Sequence, residues 1–183
     1  MLSWQVGRVK ITRIVEMDLP VPASVIPQAT AAELRKLAWL YPHFVSEDDS
    51  TLNLSVHALL VEAPGLKLVV DTCVGNDRPR EITGGEPLAT PFLQHLGEAG
   101  WSRDGVDAVV CTHLHVDHVG WNTMLENGKW VPTFPKARYL IGRIRGCWIE
   151  TGRQAYARPS GFTPPTTPET RAPAPSDSDI RVR

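Results

Sequence analysis

The stretch CTHLHVDHVGWN, residues 111–122, places three of the six histidines of the chain and one aspartate within six consecutive positions. In an extended chain, side chains two residues apart point the same way, so His113, His115 and Asp117 can converge on one side. His118 breaks this period, so the chain must turn there. The turn would bring Asp117 and His118 to a second point beside the first, a spacing that suits two neighbouring metal ions better than one.

Imidazole and carboxylate ligands favour zinc, with iron, manganese, cobalt and nickel as alternatives. Zinc lowers the pKa of a bound water to about 7, so that hydroxide forms at neutral pH while the metal polarises the group under attack. This chemistry indicates hydrolysis of an ester, lactone, amide or phosphoester. Asp71, at the end of a preceding buried strand, is a candidate for orienting the loop by hydrogen bonds from outside the metal ligands.

Apolar runs around the loop predict buried strands that lead into it. The run at 106–112 is one strand, and the run at 52–72 contains two strands joined at Pro64-Gly65, the second ending at Asp71. Another strand is predicted at 137–142, followed by a candidate helix start within 143–150.

Earlier segments predict a strand and two helices. Residues 5–18 alternate as one long strand that Pro20 and Pro22 would end. Thr30 and Glu33 form a capping box for a helix that would close at Pro42. A second helix is predicted to start at Thr90-Pro91, with Thr90 as its cap, and to run to about Glu98.

The amino-acid composition indicates which classes of partner the protein can bind. The chain has 183 residues, 42% of them hydrophobic, and a formal net charge of −1 with the charges scattered along it. No electrostatic footprint for nucleic acid or a membrane is visible, so a small-molecule substrate is expected. The amino terminus has no apolar signal-like region, which predicts a cytoplasmic protein. Three cysteines without CxxC spacing predict buried free thiols.

The character of the sequence changes near residue 153. Residues 153–183 contain six of the sixteen prolines, few aliphatic residues and no periodicity. Such a segment cannot bury enough apolar surface to order itself. The predicted organisation is therefore one domain over 1–152 and a disordered tail over 153–183.

The runs VVCTHLHVDHVGWNT and SVHALLVEAPGLKLVVDTCVGN resemble the metallo-β-lactamase fold superfamily, in the branch of quorum-quenching lactonases and methyl parathion hydrolase-like enzymes. The resemblance spans roughly residues 5–150. It implies an α+β fold, the αββα sandwich, with a dinuclear zinc site at one edge. It also implies His113 and His115 on the first metal, Asp117 and His118 on the second, a bridging hydroxide as nucleophile, and Asp71 as a supporting acid.

Within this scheme Asp117 and His118 are the residues assigned to catalysis. Trp121 and Asn122, just past the loop, are candidates to line a substrate pocket, and simple packing is the alternative for Trp121. His57 is expected to be a hydrogen-bonded core histidine rather than a site residue.

Half of the family's ligand set has no counterpart here. Family members add a histidine, a bridging aspartate and a final histidine, whereas this chain has no histidine after His118. Asp177 and Asp179 lie in the proline-rich tail with no strand before them, so neither receives the bridging role. A catalytic zinc normally has three protein ligands, and this loop offers two for each ion.

Two hypotheses therefore stand side by side. The first is a metal-dependent hydrolase of a lactone, ester or related substrate. The second is a non-catalytic fragment or pseudoenzyme that binds metal weakly, or that needs a second chain to complete the site, with a homo-oligomer as one possibility. The enrichment of the tail in Arg, Pro, Thr and Ala also suggests a truncated or frameshifted reading frame. A structural zinc module is the weaker third class, because such sites are usually rich in cysteine.

Overall fold

The computed structural model describes residues 1–141. The candidate helix start at 143–150, the tail at 153–183 and Cys147 lie outside the described residues.

The described chain forms a six-stranded mixed sheet and a separate two-stranded hairpin. The strands are β1 Leu2–Val6, β2 Val9–Pro22, β3 Thr51–Ala63, β4 Leu66–Val70, β5 Ala108–Cys111, β6 Thr123–Glu126, β7 Lys129–Pro132 and β8 Arg138–Ile141. The large sheet has the order β1-β2-β3-β4-β5-β8, and β6 pairs with β7. Strands β1 to β4 pair antiparallel, whereas β5 lies parallel to both of its neighbours. Strands β3, β4, β5 and β8 confirm the predicted ones.

The amino-terminal strand differs from its prediction at both ends. Instead of one strand over 5–18, a turn at Gly7, where φ is +58°, folds β1 back onto β2. Strand β2 also continues through Pro20 and Pro22. A proline cannot donate a ladder hydrogen bond, but β1 pairs with β2 only as far as Arg13, so one edge of β2 is unpaired at the two prolines.

The helices are α1 Ala31–Leu34 and α2 Phe92–Glu98, with 3-10 turns at Ala23–Val25, Ala38–Leu40, Glu81–Thr83, Arg103–Gly105 and Gly120–Asn122. The predicted cap of α1 is confirmed, since Thr30 Oγ1 accepts the Glu33 N–H at 3.3 Å. The predicted extension to Pro42 is wrong. Leu37 is 45% exposed, so a longer helix would gain little burial there.

Helix α2 confirms the extent predicted for it but not its cap. Pro91 occupies the N-cap position without a side-chain hydrogen bond. The hydroxyl of Thr90 instead donates to Glu16 Oε1 at 3.2 Å and lies 3.1 Å from Asn76 Oδ1. A tertiary contact therefore competes successfully with local capping.

The main core lies between the large sheet and α2. Phe92 and Leu96 of α2 are buried in the same cluster as Ile14, Leu60 and Val109 of the sheet. Since neighbouring residues in a strand face opposite ways, the paired residues Leu59 and Val70 point to the other face, where both are half-buried. No helix among residues 1–141 is long and apolar enough to cross a membrane.

Candidate metal centre

The histidine loop begins where β5 ends, next to the end of β4. These two strands run parallel, with Val70 beside Val110, so their carboxyl ends meet at one edge of the sheet. Asp71 continues this pairing by donating its N–H to Val110 O at 2.9 Å. The topology thus brings Asp71 to the start of the loop, 41 residues further along the chain.

Asp71 ties the two ends of the loop together. One carboxylate oxygen, Oδ1, accepts the Thr112 N–H at 2.8 Å, and Thr112 Oγ1 donates to the same carboxylate at 2.8 Å. His118 Nδ1 lies 2.8 Å from Oδ2. Burial alone would raise the pKa of Asp71, but the hydrogen bonds from His118 and Thr112 outweigh it and hold that pKa below its usual value. The carboxylate is therefore ionised at neutral pH.

His118 is held between two carboxylates. Because a carboxylate accepts, the hydrogen bond to Asp71 assigns the ring proton to Nδ1 and leaves Nε2 as the nitrogen with a lone pair. Nε2 lies 3.2 Å from Asp117 Oδ2. His118 and Asp117 are both about one-quarter exposed, so the pair lies at the surface of the protein rather than in its core.

His113 and His115 form the second pair. His113 Nε2 lies 3.0 Å from His115 Nδ1, and both side chains are exposed. The ring of His113 also lies against that of His118, with centroids 3.8 Å apart. Desolvation lowers the pKa of His113, and the adjacent His118 and His115 rings lower it further because neighbouring imidazolium charges repel each other. A neutral imidazole is the form that binds a metal.

Within each pair, the two side chains are of a kind that binds metal ions, and the distance between their donor atoms suits one ion. Two donors about 2.0–2.1 Å from one tetrahedral zinc would lie about 3.3 Å apart. The observed separations are 3.0 Å within the His113–His115 pair and 3.2 Å within the Asp117–His118 pair. The structure thus brings together the four predicted ligands in the two predicted pairs. No group of three or more His, Cys, Asp or Glu side chains within 1–141 is arranged to hold a metal ion.

The far end of the loop is packed backbone against backbone. Gly120 N donates to Cys73 O at 2.7 Å, and Trp121 N donates to Thr72 O at 2.7 Å. A Cβ on Gly120 would lie 1.8 Å from Val74 O, so no other residue fits without movement. This close approach joins the segment after β4 to the segment after the histidines.

Glu16 of β2, which was not predicted from the sequence, hydrogen-bonds to both the segment after β4 and the segment after the histidines. Its carboxylate accepts the N–H of Val74 at 2.7 Å and of Gly75 at 3.2 Å, the Thr90 hydroxyl at 3.2 Å, and Trp121 Nε1–H at 2.6 Å. The signal in the sequence is weak, because Glu16 lies between Val15 and Met17 in a strand that also contains Asp18. Glu16 reaches across 105 residues to Trp121.

Trp121 and Asn122 lie in the 3-10 turn that follows the loop. Trp121 is 4% exposed and stacks on Phe92, with ring centroids 5.0 Å apart, as expected for the packing alternative. Asn122 Oδ1 accepts the Thr72 hydroxyl at 3.0 Å, and Asn122 Nδ2 lies 3.4 Å from Cys111 Sγ. Their role in a substrate pocket stays a prediction.

Two cysteines and His57 were predicted to lie outside the ligand set. Cys73 and Cys111 are buried free thiols, as predicted. His57 is half-buried on β3, where its Nδ1 lies 2.8 Å from Ser55 Oγ. It is hydrogen-bonded, as expected, although it lies on the sheet face opposite the main core.

Comparisons with known proteins identify the family and the fold. A family model described as the metallo-beta-lactamase superfamily matches residues 52–145, just over half of the chain. Among solved structures, a metal-dependent hydrolase from Staphylococcus aureus, described as probable, has a TM-score of 0.57 at 18% identity, covering 74% of this chain and 47% of that one. No curated protein sequence matches the chain.

Two other solved structures are similar. AidC, a dizinc quorum-quenching lactonase in complex with a product, has a TM-score of 0.55 at 20% identity, covering 75% of this chain and 43% of that one. A hydrolase named AbOPH, in the beta lactamase superfamily, has a TM-score of 0.54 at 22% identity, covering 75% and 42%. This chain therefore spans less than half the length of each of these three proteins.

Proposed function

Since the chain belongs to the metallo-beta-lactamase superfamily, we propose that it is a metal-dependent hydrolase whose metal centre is the histidine loop. The proposed cofactor is a pair of zinc ions, one held by His113 and His115 and the other by Asp117 and His118. The proposed substrate is a small molecule with a lactone, ester or related bond. AidC and AbOPH support this choice only through a shared fold.

One observation carries the proposal: His118 lies between Asp71, to which it is hydrogen-bonded, and Asp117, which faces its other ring nitrogen. A metal-binding histidine usually donates its other ring N–H to a carboxylate, which fixes the tautomer and makes the ligand more basic. Asp71 receives that proton at 2.8 Å, while His118 Nε2 faces Asp117 at 3.2 Å. A histidine that only packed against the protein would not need both partners.

When bound, the metal would act as a Lewis acid on the substrate carbonyl or phosphoryl oxygen and lower the pKa of a water molecule. The chain's own residues would do the rest. His113 and His115 would hold one ion through the two nitrogens that face each other, and Asp71 would keep His118 in its binding tautomer. Asp117, with one oxygen toward His118, offers its second oxygen to accept a proton from the attacking water.

The test pairs elemental analysis of the purified protein with hydrolysis of a chromogenic lactone and a chromogenic phosphotriester. Near two metals per chain, with turnover lost in His115→Ala and kept in His95→Ala, would support the proposal. His95 lies in α2, away from the loop, so it is a matched control. Stoichiometric metal with full turnover in His115→Ala would contradict it.

The second candidate, a non-catalytic chain, is favoured by the absence of a three-ligand group within 1–141. Two protein ligands per ion give weak binding and loose geometry. This candidate predicts substoichiometric metal and no turnover. If a second chain completes the site, activity per chain should instead rise with protein concentration, as expected for a homo-oligomer. The cytoplasmic location stays a prediction.

A further inference from the structure

Thr112 lies between the end of β5 and the first histidine of the loop. Its hydroxyl oxygen is 2.8 Å from Asp71 Oδ2, 3.0 Å from Asp71 Oδ1 and 3.0 Å from His113 Nδ1. Its backbone N–H also donates to Asp71 Oδ1, at 2.8 Å. The hydroxyl of Thr112 is therefore placed between a carboxylate and an imidazole.

The direction of these hydrogen bonds follows from the chemistry of the three groups. A hydroxyl has one hydrogen to donate and lone pairs with which to accept. The Asp71 carboxylate is ionised, so both of its oxygens can only accept. The hydroxyl of Thr112 therefore donates to Asp71, and its oxygen accepts from His113. This direction places the proton of a neutral His113 ring on Nδ1 and leaves the lone pair on Nε2.

The opposite direction conflicts with the distances. If the hydroxyl donated to His113 Nδ1, the Thr112 oxygen would face two carboxylate oxygens at 2.8 and 3.0 Å with no hydrogen between them. Contacts between acceptors at this range are repulsive, and Asp71 would also lose a donor. Donation from His113 to Thr112, and from Thr112 to Asp71, satisfies all three contacts.

The lone pair that this tautomer leaves free faces the other histidine of the pair. His113 Nε2 is the atom that lies 3.0 Å from His115 Nδ1. A metal-binding histidine usually donates its second ring N–H to a carboxylate, a carbonyl or a water, which fixes the ring and raises its basicity. For His113 a hydroxyl takes that place, and the bond from this hydroxyl to a carboxylate makes its oxygen a stronger acceptor.

Asp71 thus reaches one histidine in each proposed ligand pair, by two different routes. It accepts the Nδ1–H of His118 directly at 2.8 Å, and it holds His113 through the hydroxyl of Thr112. Removing the hydroxyl would break the second route and leave the first intact. The two routes can therefore be separated by experiment.

We propose that Thr112 is a positioning residue whose hydroxyl keeps the proton of His113 on Nδ1 and so presents Nε2 to a divalent cation. Thr112 itself contacts neither the ion nor the substrate. The inference rests on the proposed metal centre and adds how that centre is oriented. One carboxylate orients both ligand pairs, one of them through a hydroxyl.

The first test is nitrogen-15 NMR of the metal-free full chain near neutral pH, because long-range proton–nitrogen correlations show which ring nitrogen carries the proton. We expect His113 to be protonated on Nδ1 in the native protein and in Thr112→Ser. Thr112→Val keeps the β-branched shape without the hydroxyl, so its His113 should show a mixture of the two tautomers. A native His113 protonated on Nε2, or an unchanged tautomer in Thr112→Val, would overturn the proposal.

The second test measures zinc affinity by competition with a chromophoric chelator. Thr112→Val should weaken one of the two ions about 10- to 100-fold, the usual effect of losing the partner of a histidine ligand, and leave the other unchanged. Thr112→Ser should restore the native affinity. Thr51→Val is the matched control, because Thr51 begins β3, eight residues or about 26 Å along the strand from Leu59, the partner of Val70. Equal weakening by Thr112→Ser and Thr112→Val would contradict a role for the hydroxyl.

A His115→Ala background identifies the ion that is affected. This change leaves the ion proposed at Asp117 and His118, which Thr112→Val should not weaken further, whereas Asp71→Asn should. Further weakening by Thr112→Val would mean that the hydroxyl holds the whole loop instead of acting through His113, and would overturn the proposal. If the native chain binds no zinc, the proposed function fails, and the NMR comparison alone decides whether Thr112 fixes His113.

Discussion

His118 and Asp71 are 47 residues apart in the chain, and a 2.8 Å hydrogen bond from Nδ1 to Oδ2 joins them at the edge of the sheet. This bond links the histidine loop to the end of β4, where the sheet is fixed by its pairing with β5. The orientation of His118, a proposed metal ligand, therefore depends on a residue outside the loop.

Replacing Asp71 with asparagine should weaken metal binding about 10- to 100-fold, the usual effect of losing a carboxylate behind a histidine ligand. Asparagine keeps the shape and tolerates the positive φ of +56° at this position. Competition with a chromophoric chelator measures the affinity. Asp104→Asn, on an exposed 3-10 turn, is the control. Unchanged affinity in Asp71→Asn would mean that the bond does not orient His118.

Replacing Glu16 with glutamine should lower the free energy of unfolding by about 1.5–3 kcal/mol, since charge-assisted hydrogen bonds are lost and an amide nitrogen faces buried donors. Urea unfolding measures the change. Glu62→Gln is matched in chemistry, but its ion pair with Lys67 is exposed and 4.0 Å long, so it should change stability by less than about 1 kcal/mol. A similar decrease in the free energy of unfolding of both variants would mean that the hydrogen bonds of Glu16 do not hold the two segments together.

Replacing Gly120 with alanine should destabilise the protein by about 3 kcal/mol, at the upper end of the cost of overpacking, because the new Cβ would overlap Val74 O. Gly97→Ala should do the opposite. It lies within α2, a Cβ there would meet nothing within 4 Å, and alanine in a helix is favoured by about 0.5–1 kcal/mol. Thermal unfolding of the two variants should shift in opposite directions, and a stable Gly120→Ala would contradict the close approach.

Lowering the pH should destabilise the turn before β3. Hydrogen bonds from Ser46 and Ser50 lower the pKa of Asp48 to about 2, and hydrogen bonds from Tyr41 and Arg35 lower that of Asp49. A lowered folded-state pKa gives stability that is present above the unfolded value of 3.8 and lost as the pH falls toward 2. The double variant Asp48→Asn, Asp49→Asn should therefore show a flatter loss of stability over this range in urea titrations. Equal slopes in both proteins would refute the assignment.

The sequence predicts most reliably the features that depend on near neighbours. The two pairs of neighbouring side chains in the histidine loop and the position of Asp71 follow from local spacing and strand ends, and the capping box at Thr30 is local as well. The length of α1 was overestimated because Leu37 remains exposed, which depends on tertiary packing. Glu16 was missed because all four of its donors come from segments at least 58 residues away.

The β6–β7 hairpin was missed for a different reason. Its turn is Asn127-Gly128, with φ of +51° and +76°, and Asn-Gly is a strong hairpin signal. The flanking strands are short and only partly buried, so the hydrophobic alternation that would draw attention to them is weak. The turn alone could have identified this hairpin.

The parallel pairing of β4 with β5 has a consequence for the order of folding. Strands β1 to β4 are consecutive or antiparallel neighbours, whereas β5 joins β4 across some 37 intervening residues, so this contact closes a long loop and should form late. The proposed metal ligands follow this late-forming strand pair in the chain. A bound ion would therefore stabilise mainly contacts absent from the folding transition state, and should slow unfolding while leaving the folding rate nearly unchanged.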